Sequence, residues 1–350
     1  MTPAEARALF PVLDRLAYLN AGTFGPLARA TVDAVEAQLA SELANGRFGR
    51  EYFERMLGLR VEAREALAAL VGIAPEHVSL TGSTTDGCNI VLGGLDLRPQ
   101  DEIVTTREEH FGLLGPVYAS GARVVVVDAE PNAIQGAVTA RTRLLALSQA
   151  LWTTGRVLPV LELREQTGVP ILVDGAQSVG AIPVDARGMD FLTISGQKWL
   201  CGPDATGALV VADPQALRVA RPSYFSQMAY EPTGRFEPAV GAARFDPGWI
   251  ATASLAGLVT ALALPPDWRF EQAAEQTARC RELLAPLVEV VEGGSTLVAF
   301  RASDPPAVVA HLAEAGVVVR ELPGTGLVRV SCGWWTSEED LARLAAAIPA

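Results

Sequence analysis

Through the middle of this chain, short apolar runs alternate with amphipathic stretches at a spacing that strands and covering helices would produce. After a short run at 78–80, the runs at 103–105, 123–127, 144–148, 171–174, 191–194 and 208–211 are apolar at successive positions rather than at every second one. Strands of this kind are buried on both faces, which predicts a mostly parallel sheet layered by helices, an α/β domain. Upstream, the pattern predicts a short helix over 3–16, a turn-rich segment over 18–26, and amphipathic helices over 26–45 and 51–71.

Beyond Arg221 the alternation gives way to a Pro-, Gly- and aromatic-rich connection reaching Trp249. The charge-free window 247–266 places Leu255, Leu258, Val259 and Leu262 at helical spacing. Prolines close both of its ends, leaving a helix of roughly 16 residues, short of the ~20 that span a bilayer. Further on, the pattern predicts helices over 270–287 and 305–315, and strands over 296–301, 317–320 and 327–331. A final helix opens with Thr336 and Glu339 at capping-box spacing. The division expected is a large α/β domain over 16–248 and a smaller α+β domain made of 1–15 and 249–350.

Bulk properties narrow the partners. A chain of 350 residues with 49% hydrophobic and 19% charged residues builds packed cores. A net charge of −12 argues against nucleic acid and anionic membranes as partners. Cys88, Cys201, Cys280 and Cys332 are far apart, and no histidine or carboxylate pair has metal-ligand spacing, so no metal is expected. With no basic start and apolar run at the N-terminus, the cysteines are expected to be reduced thiols of a cytoplasmic protein.

One residue type changes the picture. Lys198, in the turn Ser195-Gly196-Gln197-Lys198-Trp199-Leu200-Cys201-Gly202-Pro203, is the only lysine among 28 Lys and Arg residues. Arginine carries the surface positive charge here, so a single retained lysine points to what a guanidinium cannot do: lose a proton near neutrality and form a Schiff base. Asp174 ends the run at 171–174, with Gln177 three residues on; a carboxylate there either caps the following turn or meets a buried cation. Thr84 and Thr85, in Thr81-Gly82-Ser83-Thr84-Thr85, open a helix after a strand, a setting that suits a phosphate. His110 follows another strand and either stacks on an aromatic ligand or is structural.

Taken together, Lys198, Asp174, Gln177, His110 and Thr84-Thr85 resemble the class V aminotransferase-type pyridoxal phosphate enzymes over nearly the whole chain. Cysteine desulfurases, cysteine/cystine C–S lyases and isopenicillin N epimerase-like proteins belong to that group. The segments 86–92, 147–155 and 198–203 are most similar to the C–S lyases. The resemblance implies fold-type I, a homodimer, and pyridoxal 5'-phosphate held as a Schiff base on Lys198, which also moves the Cα proton. It further implies Asp174 at the pyridine nitrogen, Gln177 at the ring hydroxyl and His110 over the ring. Thr84, Thr85, Ser195 and Gln197 would hold the phosphate and Arg329 the substrate's carboxylate, with Arg320, a second arginine seen in the lyases, Asn20, Gly22 and Trp152 on the substrate side. The reaction so implied is β-elimination from a cysteine- or cystine-like amino acid, with epimerisation or transamination as alternatives and a desulfurase or a non-catalytic carrier as further ones.

Four positions depart from the family pattern. Gln197 and Gln149 stand where histidines are common, and Trp152 where desulfurases have asparagine. Trp249 lacks the hydroxyl that reaches a partner subunit's phosphate. The segment 321–328 has no cysteine, whereas desulfurases carry their nucleophile on a loop there.

Overall fold

A computed structural model describes residues 1–349. Its centre is a seven-stranded sheet in the spatial order Val78–Thr81, Gly207–Val211, Phe191–Ser195, Ile171–Asp174, Thr142–Ser148, Glu102–Thr106, Arg123–Val127. Only Gly207–Val211 runs against the others, as the mostly parallel pattern requires. Side chains alternate between the two faces. Ile103, Leu144 and Ala146 pack under the helices Thr84–Gly94 and Phe111–Ala119, while Val104, Leu145 and Leu147 enter the core that includes Leu59 and Leu67 of Gly49–Leu70 and Leu255 and Leu258 of Thr252–Ala263. The run at 123–127 is the exception to the two-faced burial expected of it. It forms the sheet edge, so its valines are only partly covered.

The second unit is an antiparallel sheet in the order Val290–Val291, Leu297–Arg301, Leu327–Ser331, Arg320–Leu322, packed with Arg269–Leu284, Pro305–Glu314 and Glu338–Ala346. The chain's beginning serves this unit. Ala17–Tyr18 pairs in parallel with Val317–Val318, and Asn20 bridges to Ser331. From there the segment crosses to the large sheet, where Gly25 N–H donates to the Gln197 carbonyl at 2.8 Å. A Cβ on Gly25 would run into the carbonyl of Lys198, so a bare backbone is what allows this approach.

Three local expectations change. The helix over 3–16 is Pro3–Ala8 followed by a 3₁₀ turn at Pro11–Asp14, because Pro11 has no N–H to continue the ladder. The strand over 317–320 divides, its first half pairing with Ala17–Tyr18 and its second with Leu327–Ser331. The last helix is capped by Ser337 with Asp340, one residue later than expected. Thr336 is buried and accepts the Gly333 N–H in the preceding turn. No helix of the described residues is long and apolar enough to cross a membrane.

Candidate active site

The carboxyl ends of the parallel strands are where an open α/β sheet leaves a crevice. Here a cavity of about 340 Å³ lies at those ends and is lined by Thr84, Thr85, His110, Trp152, Asp174, Gln177, Ser195, Gln197, Lys198, Arg320, Arg329 and Gly22. Of the residues expected to hold cofactor or substrate, only Asn20 is absent from the wall. Its Oδ1 accepts the Thr23 hydroxyl at 2.8 Å, so it shapes the loop rather than facing the cavity. Thr23, Phe24, Ser83, Ser148 and Ala176 complete the wall and were not singled out. Ser148 carried the same strand-end signal as Asp174, and its partner on the neighbouring strand is Asp174 itself.

At one end of the cavity, Ser83 caps the helix Thr84–Gly94 by accepting Asp86 N–H at 3.1 Å. Thr84 and Thr85 occupy the first turn, whose backbone N–H groups have no partner within the helix. Ser195 donates its hydroxyl to Gln197 Oε1 at 2.7 Å, which turns the Gln197 amide into the available donor. This donor set, a helix N-terminus with hydroxyls and an amide, is that of a phosphate cradle.

Asp174, in the cavity wall, is 3% exposed. One oxygen, Oδ1, accepts the Ala176 N–H at 2.9 Å and lies 3.5 Å from the Thr193 hydroxyl. Asp174 thus makes the local turn bond through Oδ1 and has no bond within the chain to its second oxygen. Gln177 is anchored at both ends of its amide, donating to Gly22 O at 2.8 Å and accepting the Trp199 indole N–H at 3.0 Å. Its second Nε2 hydrogen remains for a ligand hydroxyl.

Lys198 is shifted down to about 8, first by desolvation and then by Arg329 and Arg320, with Asp174 opposing. Its amine is therefore far more often neutral near pH 8 than an ordinary lysine's. His110 caps the helix Phe111–Ala119 through Nδ1, which accepts Gly112 N–H at 3.0 Å; in the neutral ring Nε2 then carries the proton. Burial, then Lys198, holds the ring below its ordinary pKa, with Asp174 opposing, and its edge meets Trp152 at 5.1 Å between centroids. Behind this wall Glu109 is buried and bonded to Thr106 (3.0 Å) and to the Ser148 hydroxyl (2.5 Å); desolvation raises it to about 7. Nothing in the residue pattern marks it, since it adjoins the similar Glu108, which is about a third exposed.

Arg329 is 1% exposed. Nη1 donates to the Trp152 carbonyl at 2.7 Å, and burial lowers its pKa to about 9. Its Nε has no partner, nor has the indole N–H of Trp152. Both residues line the cavity, where a guanidinium that meets no carboxylate within the chain suits an anionic ligand.

Residues 17–344 match the family model described as Aminotransferase class-V. The chain belongs to that family. It is 29% identical over 400 aligned residues to the isopenicillin N epimerase of Streptomyces clavuligerus, spanning 99% of this chain and 97% of that one. A probable cysteine desulfurase of Pseudomonas aeruginosa is 30% identical, with 97% and 96% covered. Among solved structures, the cystine C-S lyase C-DES in complex with its product cysteine persulfide superposes with a TM-score of 0.88 at 29% identity, covering 97% of this chain and all of that one. A C-DES mutant with glycine covalently linked to its PLP cofactor gives 0.90 at 28%, with 97% and 98% covered. The architecture is fold-type I and the family is pyridoxal-phosphate-dependent. The phosphate cradle, the second oxygen of Asp174 and the partly neutral Lys198 amine fit that group.

Proposed function

We propose that this class V protein is a C–S lyase acting by β-elimination on a cysteine- or cystine-like amino acid. Pyridoxal phosphate, when bound, supplies an electron sink for negative charge at Cα. Lys198 would hold it covalently, Asp174 would keep its pyridine nitrogen protonated, and Thr84, Thr85, Ser195 and Gln197 would take its phosphate. Arg329, which lines the cavity and meets no carboxylate within the chain, then binds the α-carboxylate. Lys198 Nζ, neutral in part near pH 8, accepts the Cα proton. Loss of the β-sulfur with its bonding electrons, followed by uptake of one water, yields pyruvate, ammonium and a thiol or persulfide.

The observation that carries this reading over a desulfurase is the absence of a thiol at the cavity. The strands of Arg320 and Arg329 are joined by a tight turn over 323–326 that holds no cysteine, and all four cysteines are buried elsewhere. Cys332 lies in the small-domain core. An epimerase would share every step through proton removal, and the Streptomyces relative carries that name. Incubating the holoprotein with L-cystine in deuterated water separates the two. Pyruvate formed in step with a persulfide or sulfide is expected; deuterium entering Cα without pyruvate would replace the lyase assignment by the epimerase one.

A further inference from the structure

Arg320 and Arg329 stand directly opposite each other on neighbouring antiparallel strands. Like charges at such a position repel, and the low pKa of Arg329 is due in part to Arg320. Both residues nevertheless line the cavity. Their bonds within the chain go to a hydroxyl and a carbonyl, not to a carboxylate. Something neutral has to fix two long cationic side chains that repel one another.

The structure assigns that task to Thr23, as a positioning residue for recognition of the substrate's carboxylate. Its Oγ1 accepts Arg320 Nη1 at 3.1 Å and Arg329 Nη2 at 3.3 Å, and donates its own hydrogen to Asn20 Oδ1 at 2.8 Å. One oxygen thus uses both lone pairs and its proton, the full capacity of a hydroxyl. Because Asn20 takes the proton, the lone pairs are directed at the arginines. The loop that carries Thr23 is itself held, with Gly22 N–H on Ser331 Oγ at 3.2 Å and Gly22 O on Gln177. Thr23 and the Trp152 carbonyl each take one terminal nitrogen of Arg329, which orients the guanidinium and leaves Nε free of any partner. Asn20 acts on substrate through this relay and not from the cavity wall. A serine keeps the hydroxyl in place, whereas a valine keeps the shape and leaves two guanidinium N–H groups without acceptors.

This inference rests on the carboxylate role given to Arg329 but not on the elimination that follows. The test uses the wild-type, Thr23→Val and Thr23→Ser holoproteins with two thiol-free probes: S-methyl-L-cysteine and 2-(methylthio)ethylamine, which lacks only the carboxylate. Binding is read from the change in cofactor absorbance. Thr23→Val should weaken S-methyl-L-cysteine about tenfold or more, as for loss of a hydrogen bond to a charged group. The amine's affinity and the resting spectrum should stay as in wild type, and Thr23→Ser should restore amino-acid binding. An unchanged affinity for S-methyl-L-cysteine in Thr23→Val, or an equal weakening of both probes, would overturn the assignment. If wild type itself binds the two probes alike, the carboxylate role of Arg329 fails and Thr23's role fails with it. A protein that discriminates between the probes yet forms no pyruvate leaves Thr23's role standing while the lyase reading falls.

Discussion

At the scale of single residues, the shift of Lys198 to about 8 has a testable sign. A lysine reacts with aldehydes only when neutral, so its labelling rises as pH passes through its pKa. Reductive methylation of the apoprotein, followed by mass spectrometry of the peptide holding residue 198, should therefore show half-maximal rate near pH 8. Arg329→Ala removes a neighbour that favours the neutral amine and moves the midpoint up; Asp174→Asn removes the opposing charge and moves it down. A midpoint near the ordinary lysine value of about 10.4 would contradict the desolvation described. The residues bearing this chemistry were legible because each combines an unusual residue type with a strand end or helix start: Lys198 by its rarity, Asp174, Thr84 and Thr85 by their places. Thr23 was not legible, because its partners Arg320 and Arg329 are some three hundred residues away and only the fold brings them together.

Among the elements, those whose pattern reflects burial were readable, and those set by long-range pairing were not. The stretch at 317–320 has the composition of one strand, yet two different neighbours divide it. The hairpin of Gln227–Tyr230 with Phe236–Pro238 lies inside the Pro-, Gly- and aromatic-rich connection, where no strand was expected; its Gln227–Tyr230 arm is largely exposed, so no buried face marks the sequence. The last helix shows how a tertiary contact selects a cap. Asp340 accepts Ser337 N–H at 3.0 Å and also pairs with Arg7 at 2.5 Å, tying the helix start to the chain's beginning. Asp340→Ala should therefore cost about 1–3 kcal/mol, more than the ~1 kcal/mol of a cap alone. A thermal midpoint equal to that of Ser337→Ala would show that the Arg7 contact contributes nothing.

For the whole molecule, the long connection before Trp249 is pinned at one point. Asp246 accepts Ser79 Oγ and Leu80 N–H on Oδ1, both at 3.0 Å, and Arg60 and Arg64 on Oδ2 at 2.8 and 2.7 Å. Arg60 in turn lies 4.2 Å from the centre of the Phe225 ring, whose edge meets Trp249. Removing the carboxylate leaves Arg60 buried without its counter-charge. Asp246→Ala is expected to lose about 3–5 kcal/mol in denaturant unfolding, while the folded fraction keeps its cofactor absorbance because Asp246 does not touch the cavity. A loss within 1 kcal/mol would mean that the arginines find other partners. This network was invisible in the sequence, where Asp246 is one acidic residue among 40.

The solitary lysine has one more consequence, for spectroscopy. A sample grown with isotope-labelled lysine carries a single labelled side chain, and that side chain lies in the cavity wall. Its nuclear resonance needs no assignment experiment. The protonation of the amine, the arrival of an aldehyde and the entry of an amino acid can each be followed as the movement of one peak against an otherwise silent background.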